Sequence, residues 1–385
     1  MKKCGEGKEK MNNKYGGITG LRGIAACSIA YIFHYLLLFR AMPMENELLV
    51  EIMGALGYCL LSASDVFFVM SGFLLARKYE NAEIETFKVF MSKRVIKIYP
   101  LMIVTAIWAF VEENVGLKML GEYPLHGDGG QIRYSIPALI LNMCGLQTGI
   151  FADGDVYATN GPSWFVSVII ICQIVFWLIQ RNVKKKRVQN ILFIIMITLG
   201  VLCIMYPIEI PLLYSCVARG YMAFGIGVLM WRGTHGIYDN KQEYKEYFNE
   251  GSAVIVFLIG IILLYQILVA REHVVLNELY VQLIVFWACM VYISINGFMA
   301  SKVLGFGIFR WLGERSMAVF LCNLPTDIGI ALIDKIYDLN LDYTSTKVWL
   351  LHIVISLVIV EMVYMCDKAL QKYMFHRRDK GQVAL

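Results

Sequence analysis

The chain has 385 residues, of which 58% are hydrophobic and only 17% charged, and it carries a formal charge of +5 at pH 7. That composition excludes an ordinary soluble domain, and so small a positive excess does not suggest a nucleic-acid partner. Its ten cysteines are scattered, mostly in apolar stretches and with no CxxC pair, which excludes a disulfide framework or a zinc site.

Residues 1–17 form a short polar tail with five lysines, and lysines beside a first span hold that end in the cytoplasm. The first apolar run has no small-residue cleavage site and reads as an uncleaved span. Span 1 is predicted from about Ile18 to Arg40 and carries Arg22 and His34. Span 2, from about Leu56 to Ala76, carries Asp65. A polar, basic stretch, Arg77 to Lys97, then leads into span 3, about Ile98 to Val111.

Between Glu112 and Ser163 lies a mixed region whose short apolar piece, Ile136 to Ile150, suits a re-entrant or interfacial segment better than a span. Seven further spans follow, at about Trp164–Gln180, Asn190–Pro207, Leu212–Trp231, Ser252–Ala270, Glu278–Gly297, Trp311–Ile333 and Lys347–Asp367. The predicted fold is therefore all-α, a polytopic bundle of about ten helices with both termini cytoplasmic. It forms one membrane domain over 18–368, flanked by tails 1–17 and 369–385. With this topology about 26 Lys and Arg lie inside and about six outside, which fixes the orientation by the positive-inside rule.

An ionisable side chain at membrane depth costs a few kcal/mol and is read as functional by default. In a straight α-helix His34 lies about 18 Å beyond Arg22. The alternative is that Arg22 marks the membrane edge and His34 caps the far end. Asp65, about 13 Å down span 2, shares a depth with His34, about 9 Å down span 1. The two could form a dyad in which the carboxylate orients an imidazole base, or Asp65 could bond only within its own helix. Lys93, Arg94 and Lys97, with Tyr99, could hold donor phosphates, act as topology signals, or bind anionic lipid headgroups. Arg219 lies mid-span and requires a partner or an aqueous cavity. The run Asn160–Trp164 reads either as a cavity mouth or as an interfacial turn with an aromatic anchor. His126, Asp153 and Asp155 read as solvated loop residues without metal-ligand spacing. No HExxH, P-loop, GxGxxG or GxSxG motif is present.

Taken together, GLRGIAACSIAYIFHY, SDVFFVMSGFLLARK, KRVIKIYPL, SWFVSVIIICQ, ARGYMAFGIGVL and RWLGERSMAVFLCNLP resemble, in order, the motifs of the acyltransferase-3 family of integral membrane O-acyltransferases. The resemblance implies transfer of an acyl group, usually acetyl, from cytoplasmic acyl-CoA to a hydroxyl of a cell-surface or lipid-linked glycan, in the inner membrane. It implies His34 as catalytic base, Arg22 as its essential partner, and Arg94 with Lys97 at the CoA phosphates, Lys93 and Tyr99 beside them.

Asp65 completes the expected catalytic set, and Arg219, Trp164, Ser163, Asn160 and Ser71 are the expected substrate-binding residues. Acetyl-CoA is expected as donor, with no metal. The expected partners are the glycan acceptor, membrane lipid and, optionally, a second copy of the chain. The sequence departs from the family pattern at four points. Eleven residues separate Arg22 and His34 where ten are usual, which turns His34 by about 100° unless the helix contains a bulge. Lys97 replaces an arginine, Ile169 a frequent glutamate and Asn323 a frequent histidine. The rival readings are a transporter or flippase for a lipid-linked saccharide and a non-catalytic membrane sensor of the same fold.

Overall fold

The computed structural model describes residues 16–39, 57, 60, 62–127, 130–238, 251, 254–256, 258–263, 276–296 and 298–383. Among these every regular element is helical, and seven helices are long and apolar enough to cross a membrane. The protein is thus a multi-pass helical membrane protein. The helices are α1 (Gly16–Phe39), α2 (Asp65–Lys78), α3 (Phe87–Leu120), α4 (Ile136–Cys144), α5 (Trp164–Asn182), α6 (Lys186–Met205), α7 (Ser215–Tyr238), α8 (Leu276–Asn296), α9 (Phe298–Leu304), α10 (Gly307–Tyr337) and α11 (Thr346–Val383). Of the span predicted over 252–270, most lies outside the described residues, as do Asp128, His273 and the first fifteen residues.

Bare backbone brings the helices together. A Cβ at Gly23 would sit 2.5 Å from the Gly313 nitrogen of α10, and one at Gly72 would sit 2.1 Å from the Phe224 carbonyl oxygen of α7. Small residues at such crossings let apolar helices approach backbone to backbone, the main source of attraction where lipid offers no hydrophobic drive. The α1–α10 and α2–α7 crossings fix the two pairs that carry the site. Helix α10 is buried along most of its length. By contrast α3, α6 and α11 expose Val104 and Ile107, Ile191 and Ile195, and Val354 and Val358, which suits contact with lipid tails.

Several predicted boundaries are corrected. Helix α2 opens at Asp65 after a turn at 62–64, whereas the hydropathy pattern runs on from Leu56. Helix α3 begins at Phe87, so Lys93–Lys97 are helical and Pro100 lies inside it. A proline removes a single N–H, and a helix continued on both sides tolerates it in lipid when neighbours pack around it. Helix α11 runs on to Val383, so the stretch expected as a cytoplasmic tail from 369 is largely helical. The segment predicted as re-entrant forms α4, nine residues long. Ser135 caps its start by accepting from the Ala138 N–H, and Gly145 ends it at φ 71°, a left-handed conformation that suits glycine.

Helix α1 contains a π-turn at Ile29–His34. Such a turn accommodates one extra residue within an otherwise α-helical path. It absorbs the eleventh residue between Arg22 and His34 and is the bulge that the spacing demands.

Candidate active site

A cavity of about 660 Å³ opens at the end of the bundle that carries the basic motif. Lys93, Arg94 and Lys97 fall at i, i+1 and i+4 on one face of α3 and line it, together with Arg22, Lys78 and Lys368. Among the described residues, six cations share the cavity lining with two carboxylates, Glu314 and Asp367. Arg22 donates from Nε (3.0 Å) and Nη2 (2.5 Å) to the Gly313 carbonyl, which fixes the guanidinium and leaves its other N–H groups available. The Arg94 guanidinium lies 3.4 Å over the Phe90 ring centroid, and its Nε has no hydrogen-bond partner. Glu85, in the loop before α3, accepts from Lys93, Tyr79 and Lys78 and so holds two of the cavity's cations in position. Burial opposes its ionisation, but the hydrogen bonds from Lys93 and Tyr79 outweigh that and hold its carboxyl at about 2.

Deeper in, the lining turns apolar, with Leu101, Phe67, Phe165 and Ile169. Ile169 makes the wall apolar where the resemblance leads one to expect a carboxylate. Ser71 lines the cavity as well and accepts from Gln173 Nε2 at 3.1 Å. Tyr99 does not. Two residues beyond Lys97 it faces the opposite side of α3, where its hydroxyl donates to the Cys144 carbonyl at 3.1 Å. Its expected place beside the donor is corrected accordingly.

His34 lies farther along the bundle. Its Nδ1 is 2.6 Å from Asn323 Oδ1, Asn323 Nδ2 donates to Asp327 Oδ2 at 3.0 Å, and Asp327 Oδ1 is bonded to His352 Nε2. Because the amide nitrogen of Asn323 is committed to Asp327, its oxygen must accept from His34. Nδ1 therefore carries the proton, and Nε2 keeps a lone pair with which to act as a base. Asn323 and Asp327 are fully buried. The hydropathy-led reading missed Asp327 and His352 and treated Asn323 only as a departure. The signal was present, since a carboxylate and a histidine stand inside two apolar spans.

The expected His34–Asp65 dyad is not formed. Asp65 Oδ2 instead accepts from Arg219 Nε (3.3 Å) and Nη2 (3.2 Å), with Ser64 Oγ 3.3 Å from Nη2. Asp65 begins α2, at a rim facing α7, and the permanent charge of an arginine stabilises a buried carboxylate better than a neutral imidazole can. Arg219 also lies over the rings of Trp164 (5.1 Å) and Tyr280 (4.6 Å). Asp65, Arg219 and Trp164 thus form one buried set, apart from the cavity that Arg94 and Lys97 line.

Asn160 and Ser163 likewise belong to a buried knot and not to a cavity mouth. Asn142 Oδ1 accepts from the Asn160 N–H (3.0 Å) and from Ser163 Oγ (3.2 Å), and Asn160 Nδ2 donates to Leu321 O (2.8 Å) and Thr105 Oγ1 (2.9 Å). This ties α4 to α3 and α10.

The loop residues read as solvated are also engaged. Asp153 caps α7 through the Ser215 and Cys216 N–H groups. His126 bonds Glu113 (2.7 Å), Tyr134 (3.1 Å) and Arg133 (3.1 Å), and Arg133 pairs with the half-exposed Asp155 at 2.7 Å. The Arg133–Asp155 pair packs beside Gly161 and Leu324, next to Asn323. Among the described residues no group of three or more His, Cys, Asp or Glu is arranged to hold a metal ion.

No curated protein and no solved structure gives a significant match to this chain. A family model described as an acyltransferase domain matches residues 15–365, from the start of α1 nearly to the end of the last predicted span, and takes in Arg22, His34, Lys93, Arg94, Lys97, Asn323 and Asp327. With the cationic cavity, the half-buried imidazole and the π-turn in α1, this match makes the chain a member of the Acyl_transf_3 family of membrane acyltransferases.

Proposed function

We propose that this acyltransferase moves an acyl group, in the simplest case acetyl, from cytoplasmic acyl-CoA to a hydroxyl of a cell-surface or lipid-linked glycan, across the cytoplasmic membrane. The observation that carries this reading is one face of α10. Ser316 lines the cavity and Asn323, seven residues on, orients His34. A rise of about 10 Å separates them, so donor cavity and base lie along one line.

Phosphates bind best to Lys and Arg through charge-assisted hydrogen bonds, and the cavity mouth supplies an excess of them. The apolar interior suits the uncharged arm and acyl end of the donor. His34 Nε2 takes the proton of the acceptor hydroxyl as its oxygen bonds to the thioester carbon. The C–S bond then breaks, and the CoA thiolate leaves and takes up the proton that His34 received, which restores the neutral imidazole. General-base catalysis of this kind typically supplies about 10² to 10⁴-fold. Arg133 and Asp155, a donor and an acceptor beside the Asn323 segment, suit the hydroxyls of a saccharide approaching from the opposite end.

The test is transfer of label from radiolabelled acetyl-CoA to the glycan fraction of membrane vesicles, run beside calorimetric binding of CoA to the purified protein. Saturable CoA binding with His34-dependent transfer is the expected result. Absence of CoA binding by folded protein refutes the donor assignment.

A further inference from the structure

Three phenylalanine rings stand between the cavity and His34. Phe67 and Phe165 close its deep end, with ring centroids 5.8 Å apart. Phe320 packs on both, 5.9 Å from Phe67 and 4.7 Å edge-to-face from Phe165, and its own centroid is 6.3 Å from the His34 imidazole. Phe165 and Phe320 are 1% and 3% exposed, so no open channel runs between them. The rings come from α2, α5 and α10, three helices that are brought together here.

The reaction sets a tighter distance than this arrangement allows. A base must lie within about 3 Å of the hydroxyl it deprotonates, and the hydroxyl within about 3 to 3.5 Å of the carbon it attacks. The thioester carbon must therefore come within roughly 7 Å of Nε2, into space that Phe320 occupies. A donor seated among the cations can react only if its acyl end passes the rings. Every methylene beyond the carbonyl then needs room that their displacement has to create.

We infer that Phe67, Phe165 and Phe320 are specificity-determining residues: they form an aromatic septum that lets the carbonyl end of a short acyl group reach His34 and excludes longer chains. This rests on the proposed donor role of the cavity. The septum, and not the cation ring, sets the acyl length. The cations hold what all acyl-CoA donors share, whereas the rings meet the part in which they differ.

The experiment measures transfer from labelled acetyl-, butyryl- and hexanoyl-CoA in membrane vesicles, which contain the natural acceptor, and compares kcat/KM across donors. Binding of unacylated CoA to each purified variant is measured alongside. In Phe320→Ala the hexanoyl-to-acetyl ratio should rise by about tenfold or more, because one methylene in a fitted pocket is worth about 10 to 200-fold. Phe320→Leu, which removes less volume and keeps a branched apolar side chain, should move the ratio in the same direction but by less. Phe67→Leu, a milder change, should move the ratio in the same direction as Phe320→Ala. A packing role alone would lower all donors together, so an unchanged ratio in whichever of Phe320→Ala and Phe67→Leu keeps CoA affinity overturns the inference. If the parent protein itself binds no CoA, it is the donor reading that fails. A CoA-binding protein with an unmoved ratio sinks the septum alone.

Discussion

Replacing Asn323 by leucine isolates the part of the site that the tertiary structure added. The amide oxygen lies 2.6 Å from His34 Nδ1 in a fully buried position, so the substitution removes the bond that fixes the tautomer and keeps similar volume. When Nε2 takes the acceptor's proton the ring becomes cationic, and its hydrogen bond to Asn323 becomes charge-assisted. Such a bond is worth about 1.5 to 3 kcal/mol. At about 1.36 kcal/mol per factor of ten in rate, kcat should fall roughly 10 to 150-fold. Asn323 does not line the cavity, so the KM for acyl-CoA should change little. The Asp327 oxygen that loses its donor adds a stability cost of about 1 to 3 kcal/mol, to be read separately by thermal melting in detergent. The assay is transfer of labelled acetyl from acetyl-CoA in membrane vesicles, repeated in a His34→Ala background. There Asn323→Leu should cost nothing further, because the bond acts only through the imidazole. A full additional loss in that background, or a parent-like kcat in the single variant, refutes the positioning role.

Arg94→Ala should raise the KM for acyl-CoA by roughly 10 to 150-fold with a smaller change in kcat, and Lys97→Ala should do so more weakly; initial-rate kinetics decide, since each removes binding shared by ground and transition states. Asp65→Asn leaves the buried Arg219 charge without its carboxylate and should destabilise the protein by about 3 to 5 kcal/mol, whereas Asp65→Leu with Arg219→Met should recover much of that in a melting experiment. Deleting Ala30 should turn the π-turn into plain α-helix and keep His34 on its face with transfer preserved, while inserting one residue after Ile24 should rotate it by about 100° and abolish transfer. Introduced cysteines at 112–163 should react with an external thiol reagent and those at 184–187 should not; labelling of the latter from outside refutes the topology.

The sequence alone determined what depends on local pattern. Spans follow from runs of apolar residues, and among the described residues seven helices are long and apolar enough to cross, even where their ends moved. The cationic face of α3 follows from the i, i+1, i+4 spacing of Lys93, Arg94 and Lys97, which does not depend on what packs against it. The π-turn was legible as one surplus residue between Arg22 and His34. The ends of α2 and α3 were not legible. Hydropathy registers the solvent a segment meets, and it does not distinguish a turn at 62–64 or a basic helical extension from the span beside it.

Tertiary structure alone decided which charges meet. Depth estimates put Asp65 level with His34, but a shared depth leaves open which way each helix is turned and which neighbour it faces. The glycine crossings α2–α7 and α1–α10 settle that, setting Asp65 against Arg219 and His34 against Asn323. The network from His34 through Asn323 and Asp327 to His352 joins residues on three helices that are distant in the chain. So does the meeting of Phe67, Phe165 and Phe320. Each residue's need for a partner is written in its own segment, but the identity of that partner depends on rotation and packing between helices, which no single segment encodes.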